Sequence, residues 1–251
     1  MNSHEAHNGI LNWMDSSHQR LFSKILPPKP TKINGNQVYR FEQANIEEAI
    51  ILKLARIVSG LRSALVLVEH GLLQEQAAIC RMVDEYQEDV TFLSLARIQN
   101  DVTELHTQYL EANFKEETHP SQPKNEWHKG RALVSRKKIH AYISFSDQNN
   151  SNPSDHNAVQ ALLKNVYSGF VHAAAVQVLE MHNPIDGCFM TGNQQTSPLY
   201  ASYKVDLNNY FIRGCYAFRI AAAALEDQEM SMEALTRGDS FDQETKHPGH
   251  F

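Results

Sequence analysis

The chain has 251 residues, 42% of them hydrophobic, and a formal net charge of −6. This length and composition can bury one continuous core, and the net negative charge argues against a protein whose whole surface attracts nucleic acid. Three cysteines without a CxxC pair argue against a secreted disulfide framework, and no apolar run is long enough to span a bilayer. We therefore predict a cytoplasmic protein without a membrane segment.

Residues 1–41 are predicted to form an arm that lies on the domain. They are mostly polar, and the PPKP run at residues 27–30 and the NGN turn signal at residues 34–36 interrupt any early helix.

Two long helices are predicted next in the chain. Apolar residues recur at helical spacing from Ile46 to Val68 and again over residues 72–98. His70 and Gly71 supply a stop between them, and the short link favours an antiparallel hairpin. The second pattern runs on toward Ala112, so one very long helix or a pair kinked near Asn100 would fit.

The second half of the chain alternates linkers and helices. A turn-rich linker at residues 147–155 precedes a predicted helix over 154–181, and a further helix is predicted over 206–227. Residues 184–205 have no helical period and suggest a small irregular or β-hairpin insertion, and residues 229–251 are predicted to be a polar tail. The predicted fold is an all-α bundle of five or six helices, with its domain at residues 42–228.

The predicted helix over residues 72–98 carries the charges of greatest interest. Arg81 and Glu85 stand four apart beside its apolar stripe, and Glu75 projects onto the stripe itself. Buried carboxylates require a partner or neutralisation. One interpretation is a structural i,i+4 ion pair. The other is a cleft in which Glu75, Glu85 and Asp89 hold a proton or metal while Arg81 binds a phosphate or carboxylate.

His172, in the later helix, is the second candidate. A lone histidine on a partly polar strip can be a hydrogen-bonded structural residue. It can also act as acid, base or ligand if its helix meets the Arg81 helix. Asn165, Tyr167 and Ser168 would then orient it. The catalytic candidates are therefore Arg81, Glu85 and His172.

The spacing of the 13 histidines argues against a dedicated metal site. Neither HExxH nor the Glu-x-x-His motif of carboxylate di-iron bundles occurs. A P-loop, a GxGxxG run and a GxSxG elbow are also absent. We predict neither a metal nor a cofactor.

Residues 124–140 contain six basic residues and one acid. This segment could contact RNA, DNA or an acidic partner, with Trp127 and Tyr142 as stacking groups. The alternative is a solvated helix face that balances the acidic stretch at residues 104–117. The candidate nucleic-acid contacts are Lys129, Arg131, Arg136, Lys137 and Lys138.

Two segments together suggest a family. EQAAICRMVDEYQEDVTFL at residues 75–93 and NVYSGFVHAAA at residues 165–175 resemble a group of prokaryotic all-α proteins of unknown function, distantly related to HEPN domains. Their shared motifs are an Arg-x3-Glu helix and a later Tyr-Ser-x3-His helix, and the resemblance spans residues 45–225. It implies that Arg81, Glu85, Tyr167, Ser168 and His172 form one cluster.

In HEPN ribonucleases, four to six residues separate an arginine from the histidine that follows it. Here Lys164 stands eight positions before His172, and Arg136 and His140 are too closely spaced. The sequence therefore favours a protein that binds a small anionic ligand or nucleic acid in a polar interhelical cleft. The alternatives are an HEPN-like ribonuclease using His172 and a structural module that forms a homo-oligomer.

Overall fold

The computed structural model describes residues 3–33, 35–116, 133–146 and 168–245. These residues are mainly α-helical, with two short antiparallel strand pairs, which confirms the predicted helical class. The helices are α1 (Ser3–Phe22), α2 (Ile46–Glu69), α3 (Leu73–Ile98), α4 (Glu104–Phe114), α5 (Arg136–Ser146), α6 (Ala175–Leu179), α7 (Tyr200–Ala224) and α8 (Gln228–Thr245). The strands are β1 (Lys29–Ile33), β2 (Asn36–Arg40), β3 (His182–Asn183) and β4 (Cys188–Phe189).

The prediction of an arm at residues 1–41 is wrong for Ser3–Phe22, which form helix α1. This 20-residue helix packs into the core, where Leu11, Met14 and Leu21 are almost fully buried. Their spacing is helical, but the many His, Asn and Ser residues between them obscured the pattern. The NGN signal does mark a turn, because β1 and β2 pair in antiparallel register with Ile33 opposite Asn36.

Helices α2 and α3 form the predicted antiparallel hairpin. Asn45 caps α2 in a capping box: its side chain accepts from the Glu48 N–H at 2.9 Å, and the Glu48 carboxylate accepts from the Asn45 N–H at 3.1 Å. The two helices approach closely at Gly60, where an added Cβ would lie 2.5 Å from a methyl group of Val83. The chain turns between them at Gly71, which has a φ of +65°.

The apolar pattern after α3 belongs to a second helix. The backbone at Asn100 has a φ of +52°, which ends α3, and α4 begins after its cap residue Thr103. The Thr103 N–H donates to Nδ1 of His106 at 3.1 Å, and the buried His106 ring stacks on Phe92 with a centroid distance of 4.1 Å.

Helix α7 packs against α1, α2, α3 and α8. Its Phe211 and Phe218 are fully buried, and Phe241 of α8 stacks on Phe211 at 5.6 Å. Helices α3 and α7 run parallel, because Gln74 lies beside Tyr203 near the start of both and residues farther along each helix also meet.

The polar tail predicted at residues 229–251 is wrong up to residue 245, because α8 occupies this stretch. Met230, Ala234 and Phe241 recur at helical spacing and are buried. Asp227 joins the α7–α8 turn to α1, since the Arg20 guanidinium donates to it at 2.6 and 2.8 Å. Packing against α1 and α7 thus orders a helix whose own sequence is largely polar.

The predicted helix over residues 154–181 is interrupted. Residues 168–171 are helical, but Ala173 has a φ of +50° and α6 begins only at Ala175, so a continuous helix to residue 181 is wrong. The β3–β4 pair and a 3₁₀ turn at Gln194–Thr196 follow, partly inside the insertion predicted at residues 184–205. Among the described helices, none is both long and apolar enough to span a membrane.

Candidate functional site

Arg81 lies in the buried face of α3, with only 6% of its surface exposed. Its Nη2 donates to Oε1 of Glu85 at 2.6 Å, and its Nη1 lies 3.7 Å from Oδ2 of Asp84. The i,i+4 ion pair suggested by the sequence is therefore present, and the buried Asp84 adds a second carboxylate.

Asp84 links this pair to helix α7. Nη2 of Arg213 in α7 forms an ion pair with Oδ1 of Asp84, and the Arg213 guanidinium also lies 5.3 Å from the centroid of the Tyr210 ring. Burial raises the pKa of the Asp84 carboxyl, while the charge of Arg213 acts in the opposite direction. The contact with Asp84 and the adjacent ring hold the Arg213 guanidinium in place.

Asp89 is the most deeply buried carboxylate of α3, with an exposed fraction of 0%. Arg136 of α5 donates to its Oδ1 at 2.5 Å, and Lys53 of α2 lies 2.9 Å from its Oδ2. Arg136 also lies 3.6 Å from Glu88 and 3.8 Å from Glu85. The predicted nucleic-acid contact Arg136 is thus directed into the protein, where these carboxylates balance its charge.

The other predicted residues lie apart from this ion network. Glu75 is exposed, although the sequence placed it on the apolar stripe. Lys137 and Lys138 are exposed on α5. Ser168 is half-buried outside the network. Four predicted residues lie outside the described parts of the chain: Asn165, Tyr167, Lys129 and Arg131.

His172 is exposed at the end of the short helical segment 168–171. Its neighbour Phe170 packs edge-on against Tyr203 near the start of α7, with centroids 6.2 Å apart. Arg213, which contacts the Arg81 region through Asp84, lies ten residues beyond Tyr203, or about 15 Å along the helix. The structure brings together Arg81, Glu85, Asp89 and Arg136, and it places His172 elsewhere.

A cleft of about 760 Å³ opens beside the ion network, between α3, α5, α7 and α8. This volume lies in the range of small-molecule sites, which typically measure about 300–1,000 Å³. The cleft runs along α3 from Gln87 to Leu95, a distance of about 12 Å. Chain segments far apart in the sequence supply its four walls.

One end of the cleft is polar. Glu88 of α3 faces His140 of α5 with 2.9 Å between the Glu88 Oε2 and the histidine Nε2, and Arg213 of α7 lies on the other wall. The Arg213 side chain is 35% exposed, whereas that of Glu88 is 13% exposed. The charge most accessible at this end is therefore positive.

The rest of the cleft is largely apolar. Leu95, Ile143, Ile220, Ala223 and Met232 contribute to its walls, and Arg219, Gln228 and serine hydroxyl groups lie among them. The cleft can therefore accept a molecule with an apolar body and one charged end.

The sequence analysis did not identify Glu88, His140 and Arg213 as site residues. Arg213 carried the clearest signal, because it is a charge within the apolar pattern of α7, between Phe211 and Cys215. In the described part of the chain, no group of three or more His, Cys, Asp or Glu side chains is arranged to hold a metal ion.

Comparisons with protein-family models, curated proteins and solved structures find no match for this chain. No family is assigned on this basis. The HEPN-like resemblance stays a prediction.

Proposed function

We propose that the protein binds a small amphipathic organic anion in the cleft between α3, α5, α7 and α8. The main support is the gathering of the polar side chains of Glu88, His140 and Arg213 at one end of a largely apolar cleft. Ligand sites commonly combine an apolar lining with a few convergent polar groups that orient the ligand.

The charge balance favours an anion over a cation. Glu88 already has two neighbours, with Arg136 at 3.6 Å and the His140 ring at 2.9 Å. Arg219, also on the cleft wall, is exposed and forms no ion pair with another described residue. An anion gains from these guanidinium groups, whereas a cation would have to compete with them for Glu88.

The other predicted functions have less support. Arg136 is not available to contact nucleic acid, because its guanidinium group is directed toward Asp89. A ribonuclease site would need His172 to cooperate with Arg81. The segment that carries His172 packs near the start of α7, about 15 Å along that helix from Arg213, which contacts the Arg81 region through Asp84. Lys137 and Lys138 remain available to an acidic partner, but two exposed lysines on one helix are common on protein surfaces.

The proposal can be tested with 8-anilinonaphthalene-1-sulfonate, an amphipathic anion whose fluorescence rises in apolar sites. Ala223→Phe would fill the cleft, since Ala223 is half-buried in its wall. Ala201→Phe makes the same change at an exposed position of α7 outside the cleft. We expect saturable binding by the wild type and Ala201→Phe, and affinity reduced at least about tenfold in Ala223→Phe. Thermal melting monitored by circular dichroism checks that all three proteins fold, and equal affinity in folded variants would refute the proposal.

We also propose the number of helices, the cellular location and the oligomeric state that the sequence predicts. The packing of the long helices fits a bundle of five or six helices with a small insertion near residues 184–205. We further propose that the protein is cytoplasmic. We also propose that it forms a homo-oligomer, and the molar mass measured by light scattering over a range of protein concentrations would test this.

A further inference from the structure

The two ends of the cleft differ in chemistry, and this difference points to a class of ligand. We infer that the ligand is a medium-chain carboxylate whose head group binds Arg213 and whose apolar chain extends along α3 toward Met232. This inference rests on the proposed function, because it requires a ligand in the same cleft.

Arg213 is suited to bind a carboxylate. A guanidinium group has five N–H donors in a planar fork, and Arg213 approaches Asp84 most closely through Nη2. The Asp84 contact and the Tyr210 ring hold the side chain in place. The Arg213 side chain therefore loses less conformational entropy when a ligand binds its remaining donors. Arg219 is exposed and lacks such support, which makes it a weaker anchor for a head group.

Glu88 favours a head group with a single negative charge. It lies at the polar end of the cleft together with Arg213 and His140, and it shares Arg136 with Asp89 and Glu85. A carboxylate adds one negative charge opposite Arg213. A phosphate monoester adds nearly two, with greater repulsion from Glu88 and Asp84. The polar end therefore favours carboxylates over phosphate monoesters.

The length of the cleft favours a chain of medium length. About 12 Å separates Gln87 at the polar end from Leu95 at the apolar end. A short acid such as butanoate would leave Ile220 and Met232 without contacts, whereas octanoate would reach them. Each additional buried CH₂ group raises affinity about fourfold, so octanoate, with four more such groups, is expected to bind about 250-fold more tightly than butanoate.

Titration calorimetry with octanoate, octanol, octylamine, octyl phosphate and butanoate tests the inference. The first variant is Arg213→Lys, which keeps a cation beside the buried Asp84 but removes the planar fork. Its matched control is Arg237→Lys, the same change at an exposed ion pair with Glu233 on α8. We expect octanoate to be the tightest ligand of the wild type. Arg213→Lys should weaken octanoate binding about tenfold and leave octanol binding unchanged, and Arg237→Lys should alter neither.

Several results would overturn the inference and separate it from the proposed function. If octanol, octylamine or octyl phosphate bound as tightly as octanoate and Ala223→Phe blocked binding, the cleft would remain a ligand site with a different head-group preference. If Arg213→Lys weakened octanoate and octanol equally, Arg213 would not contact the head group. If none of the five compounds bound, the inference and the proposed function would both fail. A dimer that Ala223→Phe converts to a monomer would identify the cleft as an interface between copies of this chain. If Arg213→Lys does not fold, the order of the wild type's affinities for the five compounds tests the inference by itself.

Discussion

Replacing Asp89 with asparagine should destabilise the protein more than any other single charge change on α3. The substitution keeps the size and shape of the side chain but removes a negative charge that is fully buried. Arg136 and Lys53 then lose their shared partner while their side chains remain only 20% and 17% exposed. Buried charges left without a partner are costly.

The expected loss follows from the contacts of the two cations. Removing one member of a buried ion pair typically costs 3–5 kcal/mol. Arg136 retains Glu88 at 3.6 Å and Glu85 at 3.8 Å, so we expect the lower limit, about 3 kcal/mol. For a chain of this length, that loss corresponds to a decrease in melting temperature of about 6–12 °C.

Urea unfolding and thermal melting of Asp89→Asn measure this loss. The matched control is Glu85→Gln on the same helix, where the carboxylate is 37% exposed. The buried Arg81 keeps Asp84 at 3.7 Å, so the expected cost is lower, about 1–2 kcal/mol. Adding Arg136→Met to Asp89→Asn should cost less than the sum of the two single changes, because it removes one of the unpaired cations. If Asp89→Asn were no more destabilising than Glu85→Gln, the description of Asp89 as the centre of the network would be wrong.

Two further predictions concern stability. Burial lowers the pKa of His106, so the folded protein binds fewer protons than the unfolded chain, and stability should decrease as pH falls below about 6.5, the usual value. His106→Gln preserves the capping box with Thr103 and should remove part of the decrease in urea midpoint between pH 7.5 and pH 5.5. The control His70→Gln, at an exposed position, should leave that decrease unchanged. An equal decrease in the wild type and both variants would show that His106 does not cause the pH dependence. Gly60→Ala should cost about 1–3 kcal/mol, since its Cβ would overlap Val83. Gly9→Ala, which meets nothing within 4 Å, should stabilise α1 by about 0.5–1 kcal/mol; the opposite order in thermal melting would contradict the packing at Gly60.

Local patterns allowed α2 and α3 to be predicted from the sequence. Both helices are buried along much of their length, so their apolar residues recur at a visible helical period. The capping residue Asn45 and the turn residue Gly71 mark their ends. Helices α1 and α8 were missed because only narrow stripes of each are apolar, and their order depends on packing against distant segments.

Only the contacts of the site that lie within one helix could be predicted from the sequence. Arg81 and Glu85 are one helical turn apart, so their ion pair follows from spacing alone. Arg213 meets Asp84, and His140 meets Glu88, only after separate helices pack together. No local pattern specifies such contacts, so the cleft could not be located from the sequence.

The packing of α1 has a consequence for synthesis of the chain on the ribosome. Its His7 packs edge-on against Phe211 at 4.7 Å and Phe241 at 5.2 Å, and Arg20 binds Asp227. These partners are translated some 200 residues after α1, so the part of α1 that contacts them stays uncovered until α7 and α8 have been made. Contacts so distant in sequence slow folding and expose nascent chains to aggregation. A chain released before α8 is translated would therefore be a natural substrate for chaperones.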